Sequence, residues 1–288
     1  MKNKISFHFY LMILPLVVLF FVLHTFPFLQ GLFYSLTNWK GYGPWEFTGL
    51  HNYTQMFRDP KIAEAYLFTF KFTICATLLV NILSMSIACG LNAKIKLKNF
   101  LRAVYFLPYI LGSLVVSYVF KQIFSNIIPV WAKALGIPAL SVNILGTNHA
   151  WLGILFVTVW QSLAFNTIIY LSGLQSIDPD VYEAASIDGC TGFRTFRKIT
   201  FPLIAPFFTI NMVLCGKGFL MMFDQVLALT NGGPGTTTQT IAVLIYKRGF
   251  NGGQFAYQSA NAAVLFFVVI GLSLFQMKFL ERREKKYE

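Results

Sequence analysis

"YLFTFKFTICATLLVNILSMSIACGL", Tyr66–Leu91, runs for 26 residues with one charged side chain, Lys71. The hydrocarbon core of a bilayer is crossed by about 20 apolar residues wound as an α-helix. A helix also satisfies every backbone N–H and C=O from within the segment, where no water is available to do so. This stretch therefore reads as a membrane-crossing helix, with Lys71 near enough to an end to reach the headgroups.

Working outward, five further stretches have the same character: Phe9–Leu29, Ala103–Phe120, Trp151–Leu174, Leu203–Leu229 and Phe255–Met277. Whole-chain composition agrees, with 56% hydrophobic and only 12% charged residues against about 25% charged in soluble domains. The expected fold is all-α: a polytopic membrane protein with six transmembrane helices, forming a single transmembrane domain over residues 1–288. The first stretch follows Lys2 and Lys4 as a secretory signal would. It is too apolar for too long and has no small-residue cleavage site after it, so it reads as a retained helix.

Lys and Arg set the orientation, because cytoplasmic segments carry the excess. The N-terminus, Asn92–Arg102, Gln175–Phe201 and the C-terminal tail together hold 14 such residues, and the alternate segments hold 6. Both termini are therefore expected in the cytoplasm. This asymmetry accounts for the net charge of +12, so membrane lipid is an expected partner and nucleic acid is not. The four cysteines, Cys75, Cys89, Cys190 and Cys215, show no metal-ligand spacing. Nor do His8, His24, His51 and His149. No G-x-x-x-x-G-K-[ST] phosphate loop and no nucleophilic triad is present, so no catalytic residue is assigned and no bond chemistry is expected of this chain.

One cytoplasmic segment is more than a charged connection. Asp178-Pro179 is a strong helix start, with aspartate as N-cap and proline at the first helical position. Asp180 and Glu183 follow in the first turns, where the helix dipole favours carboxylates. Ala184 and Ala185 give a helix surface without bulk, and Gly189 suits a left-handed helix end. A second amphipathic piece, Phe193–Phe201, carries Arg194, Arg197 and Lys198, and Pro202 and Pro206 are expected to end it. Small side chains beside an exposed Glu let another protein approach closely.

Glu183-Ala184-Ala185, three residues, Gly189, nine residues, then Ile199-Thr200-Phe201-Pro202 resembles the EAA signature, EAA-x3-G-x9-I-x-L-P. That signature marks the permease subunits of binding-protein-dependent ABC importers; Phe201 stands where leucine is usual. Ile187-Asp188-Gly189, "FTGLHNY" (Phe47–Tyr53), "YFLP" (Tyr105–Pro108) and "FDQVLALTNGGP" (Phe223–Pro234) are similar to the carbohydrate branch, and the "TNGGP" loop further resembles the maltose-type first permease. The resemblance covers nearly the whole chain. It implies an importer of a sugar, with an oligosaccharide expected and an acidic sugar or glycerol-phosphate-like solute as the alternative, working in a bacterial or archaeal cytoplasmic membrane. It implies a second homologous permease, an extracytoplasmic solute-binding protein and a cytoplasmic ATPase dimer that binds ATP and Mg. Coupling to that ATPase would fall to Glu183, Ala184, Ala185, Asp188 and Gly189. An ion-coupled secondary transporter is the rival class, but no repeated halves with interrupted helices stand out.

Polar side chains within the spans are the candidates for a solute path. Thr73, Thr77, Asn81 and Ser84 share one helical face, as do Ser162, Asn166 and Tyr170, with Trp160 near. Such stripes serve either helix–helix hydrogen bonding or recognition of sugar hydroxyls. Lys217, between Gly216 and Gly218, stands near the middle of the expected fifth span. Asp224 is seven residues on, about 10 Å along a helix axis, too far for a direct bond. The path candidates are Asn81, Trp160, Asn166, Tyr170, Lys217 and Asp224.

Overall fold

A computed structural model describes residues 7–93, 100 and 107–284. Its helices, numbered in chain order, are α1 (Leu11–Tyr34), α2 (His51–Met56), α3 (Pro60–Asn92), α4 (Ser113–Ala134), α5 (Ala150–Gln175), α6 (Pro179–Ile187), α7 (Gly192–Leu203), α8 (Ala205–Leu220), α9 (Asp224–Leu229), α10 (Ile241–Tyr246) and α11 (Phe255–Glu284). Among the described residues there is no strand, only one isolated bridge, Thr37 to Phe47. Five helices are long and apolar enough to cross a membrane, and a sixth crossing arises if α7 and α8, bent by 72°, are taken as one span. The all-α, multi-pass expectation stands.

Two span boundaries differ from the sequence reading. The third crossing helix is Ser113–Ala134 rather than Ala103–Phe120. The chain leaves helical geometry at Gly112 (φ −59°, ψ 138°), where α4 begins. In its second half the polar Gln122 and Asn126, one turn apart, bond to each other at 2.8 Å, Asn126 Nδ2 donating to Gln122 Oε1. Residues 103–106 of the expected span, and with them Tyr105 and Phe106 of "YFLP", lie outside the described residues. The fifth span does not continue to Leu229: α8 stops at Leu220, and α9 is a separate helix from Asp224.

Three prolines inside these helices are accommodated in one recurring way. Pro27, Pro129 and Pro202 each sit two residues after a wide turn, at Phe21–Thr25, Ile123–Ile127 and Phe196–Thr200. In each the next N–H reaches five residues back, Phe26 to Phe21, Ile128 to Ile123 and Phe201 to Phe196. A proline ring clashes with the carbonyl four residues earlier; widening the preceding turn moves that carbonyl aside. For this reason α7 runs on to Leu203, past the Pro202 expected to end it.

The chain divides into two compact units. The first comprises Met1–Ile62 and Leu244–Phe267. There the "FTGLHNY" loop is tied down by Asn52, whose Nδ2 donates to the carbonyls of Ser35 (2.8 Å) and Thr37 (2.7 Å), and by Tyr53 Oη against Ser35 Oγ at 2.7 Å. Trp39 stacks on Tyr34 with centroids 4.1 Å apart and meets Phe255 edge-on. Arg248 donates to Asp59 at 2.7 Å, joining residues 189 apart in sequence. Partial burial raises the Asp59 pKa, but the Arg248 hydrogen bond and charge and the Lys61 and Ile62 N–H groups outweigh it, leaving the carboxyl below its usual value.

The second unit comprises Ala63–Val243 and Val268–Glu288. Its core packs Phe72, Ala76 and Val80 of α3 against Ile154, Val157 and Val159 of α5 and Cys215 and Phe219 of α8, with Val226 and Val243. A second cluster joins Met85, Ala88, Tyr170, Leu174 and Ile204. Small residues permit this approach: an added Cβ at Gly173 would sit 2.6 Å from the Phe207 ring. The "TNGGP" turn is closed by threonines. Thr230 and Thr238 hydroxyls meet at 2.8 Å, and Thr238 donates to the Gly233 carbonyl at 2.6 Å.

Candidate coupling loop and buried polar cluster

The loop opens as its sequence dictates. Asp178 caps α6, its carboxylate accepting from the Asp180 N–H at 3.0 Å, with Pro179 in the first turn. The other end closes as a Schellman motif. The Cys190 N–H reaches the Ala185 carbonyl at 2.8 Å and the Gly189 N–H reaches Ser186 at 3.1 Å, with Gly189 left-handed at φ +71°. These bonds satisfy carbonyls that a helix end leaves free.

On this short rod Ala185 points inward, 4% exposed, while Glu183, Ala184, Asp188 and Gly189 face out. Ile187 is 87% exposed. An exposed carboxylate, a small alanine and a bare isoleucine on one capped helix make a compact, rigid surface suited to another protein's groove. Tyr182 Oη lies 3.3 Å from Thr200 Oγ1, tying α6 to α7.

Within the helices the structure brings three path candidates together. Asn81 and Asn166 each donate Nδ2 to the carbonyl four residues back, Thr77 and Ser162, both at 2.8 Å. Each amide thereby turns its oxygen toward a neighbour. Asn81 Oδ1 accepts from the Tyr170 hydroxyl, and Asn166 Oδ1 from the Cys215 thiol at 3.1 Å. Asn211 Nδ2 closes the cluster on the Asn166 carbonyl at 3.2 Å. All five side chains are buried, so here the stripes join α3, α5 and α8. The Thr73, Thr77 and Ser84 hydroxyls of the same stripe are buried without a hydrogen-bond partner. Asn211 and Cys215 escaped the sequence reading. A lone Asn inside the apolar run "TINMVL" was the available signal, since an unpaired amide in a membrane is costly; a cysteine gives no such signal.

The other candidates are not part of this cluster. Trp160 is half-buried and packs edge-on against Phe120. Asp224 is half-buried and accepts from Ser113 Oγ at 2.7 Å. Lys217 is exposed and, among the described residues, has no ion-pair partner. It stands in the last turn of α8, not at mid-span. The unpaired carbonyls of a helix C-terminus favour a cation there, and because the helix ends before Asp224 the two residues share no helical face.

Comparison with known proteins places this architecture. A model of the family described as "binding-protein-dependent transport system inner membrane component" matches residues 81–286. The multiple sugar-binding transport system permease protein MsmF of Streptococcus mutans is 40% identical over 281 residues, 96% of this chain and 94% of that one. The trehalose/maltose transport system permease protein MalF of Thermococcus litoralis is 31% identical over 272 residues, 93% of this chain and 92% of its own. Two crystal structures of a bacterial ABC transporter that imports the acidic polysaccharide alginate share the fold. Their TM-scores are 0.80 and 0.81 at 21% identity, covering 95% and 96% of this chain; the second includes an alginate pentasaccharide-bound periplasmic protein. With the matched model covering most of its length, this chain belongs to the family of binding-protein-dependent transport system inner membrane components.

Proposed function

We propose that this chain is one of two permease subunits of an ATP-driven importer, carrying a sugar, most simply an oligosaccharide, across a bacterial or archaeal cytoplasmic membrane. Residues 1–288 act as one translocation domain with both termini in the cytoplasm. An external binding protein delivers the solute. A cytoplasmic ATPase dimer, which binds ATP and Mg, drives the conformational cycle. The observation that carries this reading is the outward surface of α6: Glu183 and Ala184 exposed on a helix fixed at both ends, the geometry a docking helix requires. The sugar is supported by relatives named for sugar uptake along nearly the whole chain.

In this reading Glu183, Ala184, Ala185, Asp188 and Gly189 transmit ATPase closure. The exposed Lys217, with Trp160 and Asp224 half-buried, faces the solute path, and Asn81, Asn166 and Tyr170 hold the helices behind it. Reconstitution tests the class. Proteoliposomes holding this chain, its partner permease, the ATPase and the binding protein should take up labelled sugar with ATP inside, unaffected by ionophores. Uptake that follows an ion gradient and ignores ATP would reject it.

A further inference from the structure

We infer that α7 is an interfacial helix whose outer face binds the headgroups of anionic phospholipids in the leaflet adjoining the coupling loop. The inference rests on the cytoplasmic placement proposed for that loop. α7 is bent by 72° from α8, and in the proposed topology it is α8, not α7, that makes the sixth crossing, near the membrane normal. A helix so bent lies closer to the membrane plane than to its normal. Its inner side is accounted for: Thr200 is buried, and Phe196 and Phe201 pack on the cluster of Met85, Tyr170, Leu174 and Ile204. Its outer side is not. Phe193 is 76% exposed, and Arg194, Arg197 and Lys198 are exposed beside it.

The three cations sit at positions i, i+3 and i+4, neighbours on one helical face. Among the described residues none of them has a carboxylate partner. With Phe193 they line a shallow cavity of about 450 Å³. An aromatic wedge beside a tight basic triad is the composition of helices that lie in the acyl–headgroup boundary. Arginine forks suit the phosphodiester oxygens, and the positive cluster favours lipids of net negative charge. Docking of the ATPase would use the carboxylate face of α6; a basic aromatic face lying along the membrane calls for a different ligand.

The purified full chain, offered equal amounts of phosphatidylglycerol and phosphatidylcholine in detergent, should retain phosphatidylglycerol preferentially in native mass spectrometry. Arg194→Gln/Arg197→Gln/Lys198→Gln should weaken its first phosphatidylglycerol by about a hundredfold. The control Arg58→Gln/Lys61→Gln/Lys133→Gln, on the opposite membrane side, should not. Phe193→Glu keeps every cation but repels the headgroup, and should produce the same loss should the triple variant fold poorly. Equal retention by the triple variant, Phe193→Glu and the control would overturn the inference. Displacement of the bound lipid by inorganic phosphate alone would do so too, since it would reveal a free-anion site. These results are independent of transport, so failure of sugar uptake and failure of lipid binding are separately readable.

Discussion

Single side chains here answer to distinct physical tests. The Asp59–Arg248 pair is partly exposed, so after solvent screening it contributes about 0.5–1 kcal/mol. The folded state depresses the Asp59 pKa, so its stabilisation is complete above the unfolded carboxylate value of about 4 and fades as pH falls through the lower folded value. The melting temperature in detergent of Asp59→Asn should therefore lie below that of the parent at pH 7, with the gap closing below about pH 4; a gap that persists in acid would refute this. Gly173 tests packing. A methyl group there meets the Phe207 ring at 2.6 Å, so Gly173→Ala should destabilise by about 1–3 kcal/mol, with Phe207→Leu restoring part of it in thermal melts. Lys217 tests the path. If an anionic solute passes it, Lys217→Met should slow uptake of acidic sugars several-fold and spare neutral ones, whereas equal loss for both would mark it as a helix-end cation only.

At the level of elements, what could be read in the sequence was local chemistry. The Asp178 cap, Pro179 and left-handed Gly189 needed only nearest neighbours, and each is where it was expected. The ends of α4 and α8 were not legible, because they depend on a break at Gly112 and on a stop at Leu220 that no proline marks, and Lys217 of the last turn read as a cation inside a longer span. The polar stripes were visible as faces of α3 and α5, but their use was not: bonding Asn166 to Cys215 and Asn211 requires α8 alongside. Gly189 gives the element-scale prediction. Nothing lies within 4 Å of a Cβ placed there, so substitution is penalised by backbone strain alone. Gly189→Ala should cost about 1 kcal/mol and Gly189→Val more. Uptake and co-purified ATPase should fall in that order while membrane insertion is unchanged; equal activity in both variants would show that the helix end carries no coupling role.

For the whole molecule, family membership and the multi-pass helical fold come from sequence and structure alike, while sidedness and coupling are proposals resting on 14 against 6 cations and on the surface of α6. A cysteine at Ser186 should react with an impermeant maleimide in inverted vesicles and stay unlabelled in intact cells; the reverse pattern would invert the topology. The central claim, that α6 transmits the ATPase cycle, is tested most directly by Glu183→Lys. The substituted side chain stays exposed on an intact, capped helix that carries none of the path candidates. With charge reversed at the docking surface, the variant should reach the membrane at normal level yet lose ATP-driven uptake and co-purified ATPase. Normal uptake together with normal ATPase association in Glu183→Lys would contradict the account.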